Sequence, residues 1–214
     1  MERAKDLEIE IKLRLESFPN YLKLLGSVGE IEEERLHVSA FFDTARRDLR
    51  KGGWALRVRA ENDRGLVTVK GASSREGLAV VRQEMEAEIE RGLALEVIGG
   101  FYDVLKIDAG PVAFIKKEFP GHSMVKLVQF HNTRQLKHFR IGDHEYLLEI
   151  DKTEFADGST EYELEVEVDD HSQIEVIQDH LKKMFDSLGI PFEREARSKF
   201  RRALDRLIDS DLEK

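Results

Sequence analysis

Residues 7–15 read L-E-I-E-I-K-L-R-L, and the stretch alternates without a fault. Leu7, Ile9, Ile11, Leu13 and Leu15 fall on one side, and Glu8, Glu10, Lys12 and Arg14 on the other. A period of two is the spacing of a β-strand with one apolar and one polar face. Every position of this polar face is charged, two acids followed by two bases. One such strand reads as the solvated face of an antiparallel sheet, but the pattern recurs.

In W-A-L-R-V-R-A (54–60), after a Gly52-Gly53 turn, Arg57 and Arg59 share a face opposite Leu56 and Val58. A hairpin turn at Asn62-Asp63-Arg64-Gly65 leads into L-V-T-V-K-G, which puts Thr68 and Lys70 together. Residues 80–90 set Arg82, Glu84, Glu86, Glu88 and Glu90 on one face. Residues 161–168, E-Y-E-L-E-V-E-V, do the same with Glu161, Glu163, Glu165 and Glu167. Further strands are predicted at 37–44, 112–117, 126–134 and 146–151. Helices are predicted at 18–25, with Ser17 as cap and Pro19 in the first turn, at 91–107, at 172–189 with Ser172 as cap, and at 193–208. No linker or repeat divides the chain, so 1–214 is read as a single domain.

The chain has 43 acidic and 34 basic residues and a net charge of −9, which argues against a general nucleic-acid binder. It has no cysteine, which excludes disulfides and thiolate metal sites. The opening M-E-R-A-K-D lacks an apolar core and no stretch has the length of a membrane span, so no membrane partner and a cytoplasmic location are expected.

Same-face neighbours on a strand lie about 7 Å apart, and runs of carboxylates at that spacing repel unless a cation neutralises them. Closing these strands into a barrel with charged faces inward and apolar faces outward uses every pattern at once and gives the amphipathic helices a surface to cover. Carboxylates in such an interior suit a hard divalent cation, Mg²⁺ or Mn²⁺. Guanidinium forks suit a phosphate chain. Metal, polyanion and basic clamp together fit phosphoryl-transfer chemistry.

Glu8-Ile9-Glu10-Ile11-Lys12 resembles the E-x-E-x-K signature of the CYTH superfamily, the triphosphate tunnel metalloenzymes. It is joined in order by F-F-D-T (41–44), L-R-V-R (56–59), V-K-G (69–71), R-Q-E-M-E (82–86), N-T-R (132–134), L-E-I-D (148–151), Y-E-L-E (162–165) and S-K-F (198–200). The pattern is most similar to the tripolyphosphatase-like and thiamine-triphosphatase-like members. The resemblance implies an α+β fold, an eight-stranded antiparallel β-barrel forming a tunnel with a charged interior and helices packed outside. It implies a phosphate clamp of Lys12, Arg57, Arg59, Lys70, Arg82, Arg134 and Lys199. It also implies a metal end of Glu8, Glu10, Glu163 and Glu165, with Glu84, Glu86 and Asp151 nearby, and a catalytic set of Glu8, Glu10 and Lys12. In that mechanism a metal-activated water attacks the terminal phosphorus of a small triphosphate; Lys12 could assist proton transfer there, but carboxylates around a lysine keep it protonated, so its first-ranked role is as a clamp.

Glu88, Glu90, Glu161 and Glu167 read as rim residues. The seven histidines show no ligand spacing, with His131 and His138 at the surface. Arg194, Arg197, Arg201, Arg202 and Arg206 read as a solvated helix face. Gly52, Gly53 and Gly71 are turn residues, since no helix follows them as in a P-loop. Trp54 lies three residues before Arg57, which in a regular strand puts it on the outer face, away from the tunnel. No other aromatic is placed to hold an organic tail, so inorganic tripolyphosphate is the expected substrate. Thiamine triphosphate hydrolysis, class IV adenylate cyclase activity and non-catalytic polyphosphate binding are the alternatives.

Overall fold

The structure is a computed structural model that describes residues 3–76 and 79–212. Its strands are β1 (Arg3–Arg14), β2 (Glu33–Asp43), β3 (Ala55–Glu61), β4 (Arg64–Glu76), β5 (Ala79–Ile89), β6 (Val125–Ile141), β7 (His144–Phe155), β8 (Thr160–Glu167) and the two-residue β9 (Glu193–Arg194). Its helices are α1 (Phe18–Ser27), α2 (Asp48–Lys51), α3 (Arg91–Gly99), α4 (Gly110–Glu118), α5 (Ile174–Leu188) and α6 (Lys199–Leu212). The first eight strands form an antiparallel sheet in the order β5-β4-β3-β2-β6-β7-β8-β1, and a β1–β5 pairing closes it into a barrel. β9 pairs with the end of β1 through Leu13↔Arg194 and Arg14↔Glu193.

The inside-out arrangement expected from the alternation is what forms. Ile9, Ile11 and Leu13 of β1, with Leu15 just after it, join Leu148, Ile150, Leu164 and Val166 outside the barrel, under Tyr21 and Leu24 of α1 and Ile177, Leu181 and Phe185 of α5. The side chain of Leu7 lies outside the described residues. A second outer cluster packs Leu56, Val58, Val67 and Val69 against Ala94 and Val97 of α3 and Val112 and Ile115 of α4. Trp54 belongs to this outer cluster, edge-on to Phe114 with centroids 4.7 Å apart, but it also lines the cavity, so it is not kept away from the tunnel as its spacing predicts. Inside the barrel, Phe41, Phe130 and Phe155 meet Phe200, Ala203 and Leu204 of α6.

Several local expectations are corrected. Residues 112–117 are helical: Pro111 occupies the first turn of α4, and Pro111, Val112 and Ile115 bury a helical stripe. The helix expected over 91–107 stops at Gly100, whose φ of 82° ends α3; only a 3₁₀ turn at Val104–Lys106 follows. Ser172 does not cap α5; it sits in a 3₁₀ turn capped by Asp170, whose carboxylate accepts from the Ser172 backbone N–H at 2.7 Å. The last helix starts at Lys199, not Glu193, because Glu193 and Arg194 are drawn into β9. Ser17 caps α1 as expected, accepting from Asn20 N–H at 3.3 Å.

Candidate active site: a charged tunnel

Two residues apart on a strand means one face, so each inward strand delivers a row of charges to the barrel axis. The rows are placed so that acids and bases interleave. From β1, Glu8 accepts from Arg82 at 2.6 Å and lies 3.4 Å from Lys70; Glu10 accepts from Arg82 at 2.7 Å. Lys12 continues the row, 3.2 Å from Glu10 and 2.5 Å from Glu165. Lys70 lies 2.6 Å from Glu84. Arg57 donates to Thr68 at 3.0 Å and to Glu86 at 3.3 Å, and Glu86 also accepts from Thr68. Arg59 has Ser39 at 3.2 Å and Glu61 at 3.6 Å.

On the opposite wall, Arg134 grips Asp151 through two hydrogen bonds of 2.8 and 2.7 Å and reaches Glu165 at 2.5 Å. Lys199, the first residue of α6, contacts Asp151 at 2.8 Å, Glu165 at 3.0 Å and Glu163. Asp151, Glu163 and Glu165 each offer an oxygen within 4.8 Å of the others. Three carboxylates gathered at one point form an all-oxygen donor set, which suits Mg²⁺ or Mn²⁺ and not a soft metal, so these residues fit the divalent ion that the fold implies. Glu8 and Glu10 sit apart from that group, joined to it through Lys12.

A cavity of about 640 Å³ runs through the barrel, within the range of small-molecule sites. Of the residues anticipated from the sequence, Glu8, Glu10, Lys12, Arg57, Arg59, Lys70, Arg82, Glu84, Glu86, Arg134, Glu165 and Lys199 line it. Asp151 and Glu163, 0% and 1% exposed, lie behind that wall.

The mixture of charges sets the protonation states. Burial pushes the Glu8 carboxyl up, but Lys70 and Arg82 outweigh it and hold the group far below the ordinary range. Burial does the same at Asp151, and Arg134 and Lys199 reverse it. For Lys12, burial favours the neutral amine, yet Glu10 and Glu165 outweigh it and raise its pKa. Burial outweighs the neighbouring carboxylates at Lys70 and Lys199 and lowers the pKa of both, and burial joined by Arg57 and Arg134 brings that of Arg59 down to about 10. Arg59 is a buried guanidinium short of negative charge, the condition of a group that binds an anion.

Three site features went unanticipated. Glu149, two residues before Asp151 and on its face, contacts Arg134, and burial raises its pKa to about 7 against the pull of that arginine. His37 and Glu61 form a buried pair at 3.1 Å beside Arg59. Arg202, read as solvated, is 1% exposed and spans Glu163, Glu161 at 2.9 Å and Glu195 at 3.1 Å. Its signal was its place one helical turn after Lys199. His131 and His138 are exposed, as expected.

A closed barrel with a cation-lined bore and a buried carboxylate cluster defines a class of proteins with a charged tunnel. The chain belongs to the CYTH domain family, whose profile matches residues 6–198. Members of that family are triphosphatases or cyclases. Among solved structures, it is similar to a Hippeastrum protein described as a putative adenylyl cyclase with a dominant triphosphatase activity. The two share 26% identity over 93% of this chain and 96% of that one, with a TM-score of 0.82. A putative adenylate cyclase from Bacillus halodurans shares the fold at 17% identity, over 92% of this chain and 98% of that one, with a TM-score of 0.67. PH1819 from Pyrococcus horikoshii does so at 18% identity, over 92% and 99%, with a TM-score of 0.60. No curated protein sequence matches the chain. Among the described residues no helix is long and apolar enough to cross a membrane.

Proposed function

We propose that this protein hydrolyses inorganic tripolyphosphate to diphosphate and phosphate with Mg²⁺ or Mn²⁺, inside the barrel. The observation that carries the reading is a cation-lined cavity backed by the Asp151–Glu163–Glu165 cluster, of which Glu165 lines the cavity and Asp151 and Glu163 lie just behind its wall. Arg57, Arg59, Lys70, Arg82 and Arg134 bind the oxygens of the phosphate chain, exchanging carboxylate partners for phosphate ones. Lys12, held protonated by Glu10 and Glu165, donates to the chain and does not act as a base. Asp151, Glu163 and Glu165 would hold a divalent ion, which would supply Lewis-acid polarisation of the phosphate oxygens and a more acidic water. Glu8, Glu10, Glu84 and Glu86 keep the cations oriented before substrate arrives. The activity named for the Hippeastrum relative supports hydrolysis over cyclisation.

The test is a product assay over tripolyphosphate, thiamine triphosphate, ATP and GTP with each metal. Tripolyphosphate is expected to show the highest kcat/KM, and Trp54→Ala to leave it unchanged in a folded variant. Pyrophosphate released from ATP with cyclic nucleotide would replace this reading by the cyclase one. A preference for thiamine triphosphate that vanishes in Trp54→Ala would replace it by the other. Glu163→Gln and Glu165→Gln are each expected to cost at least about 100-fold in turnover and to raise the metal requirement; unaltered metal dependence in both would remove them from the metal site.

A further inference from the structure

Lys199 was expected on the phosphate side of the site, yet its ammonium lies among the three carboxylates. It is 2.8 Å from Asp151, 3.0 Å from Glu165 and in contact with Glu163. Those are the three residues whose oxygens converge within 4.8 Å. An ammonium surrounded by three carboxylates stands where a cation ligated by all three would stand. Lys199 also faces the cavity, whereas Asp151 and Glu163 do not. An ion arriving through the bore therefore meets Lys199 before it meets two of its three ligands.

We infer that Lys199 is a tethered cation that fills the divalent-metal position in the metal-free protein and is exchanged for the ion when the site loads. This rests on the assignment of Asp151, Glu163 and Glu165 as the metal site. Three carboxylates packed together repel, so a site awaiting its metal needs a placeholder charge. A single positive charge on a flexible four-carbon stem supplies it and can withdraw, which the planar fork of an arginine does less readily. Arg202 makes the withdrawal local: it holds the second oxygen of Glu163 and also binds Glu161 and Glu195, so α6 stays docked when the lysine leaves. With the ion in place, the Lys199 charge becomes surplus in the cluster and turns toward the bore, where a phosphate chain takes it up. Metal loading and assembly of the phosphate clamp are then one event.

A placeholder competes with the metal, so its removal strengthens metal binding. Lys199→Gln keeps length and a hydrogen-bond donor while losing the charge. Titrations with Mn²⁺ alone, without any phosphate, read by the electron paramagnetic resonance signal of free Mn²⁺, give the affinity directly. Lys199→Gln is expected to bind at least about fivefold more tightly than the wild type, and Glu163→Gln and Asp151→Asn to bind far more weakly. Should Lys199→Gln be poorly folded without metal, the rise of its melting temperature on adding Mn²⁺ replaces the titration and is expected to exceed that of the wild type. Equal or weaker binding by Lys199→Gln, with binding lost in the carboxylate variants, overturns the placeholder role and leaves the metal site standing. Binding unaffected by Glu163→Gln and Asp151→Asn overturns the metal-site assignment itself.

Discussion

His37 shows how one buried side chain makes this barrel sensitive to acid. It is 3% exposed, its Nε2 lies 3.1 Å from Glu61, and burial with Arg59 close by lowers its pKa from 6.5 to about 4. A histidine with a depressed folded pKa stabilises the fold fully above its unfolded pKa, and that contribution is lost as pH falls from 6.5 through 4. The full loss amounts to about 3 kcal/mol. Urea unfolding of the wild type and His37→Asn at pH 7 and pH 4.5 checks it. The wild type is expected to lose more stability over that interval than the variant, and parallel losses would assign the acid sensitivity to the carboxylates. Glu149 behaves in the opposite sense, since burial raises its pKa to about 7.

At the scale of the element, strand β3 separates binding from folding at alternate residues. Leu56 and Val58 are fully buried in the outer core, while Arg57 and Arg59 line the bore. Leu56→Ala is expected to cost about 2–5 kcal/mol of stability and leave KM for tripolyphosphate unchanged. Arg57→Ala is expected to raise KM about 10–100-fold with a near-native melting temperature. Thermal melts and steady-state kinetics on the same preparations separate the two effects, and exchanged phenotypes would mean the strand faces are reversed. This alternation is why β1, β3, β4, β5 and β8 were legible from the sequence: a charged face and an apolar face leave one register. The α4 segment was not legible, because P-V-A-F-I-K-K is rich in residues that favour strands and its helical stripe is only three residues deep. Nor was the burial of Arg202, since local sequence does not say that α6 meets β8. Glu149 was legible in principle, sharing a face with Asp151 inside the L-E-I-D motif, but only the aspartate of that motif was given a site role.

For the whole molecule, the first strand is also the last piece of the barrel. β1 pairs with β5 on one side and β8 on the other, with Ile11 opposite both Ala79 and Val166. The contact between Lys12 and Glu165 spans 153 residues, so closure waits on the full chain and folding is expected to be slow for the size. A proline inside a doubly paired strand removes a ladder bond and has no edge to occupy. Ile11→Pro is therefore expected to yield no folded protein by circular dichroism and size exclusion, and a native-like product would refute the closure. Every wall of the bore depends on that one closure, so folding and site assembly are inseparable here.

The two-residue strand β9 fixes a phase as well as a position. Arg194 pairs with Leu13, and the Glu195 backbone N–H donates to the Lys12 carbonyl at 3.0 Å. From that peg only residues 195–198 remain before α6 begins. Each residue turns a helix by about 100°. Inserting one alanine after Ala196 would thus act like a slipped cog, carrying Lys199 and Arg202 together off the carboxylates they face, with the composition of the site intact and its timing lost.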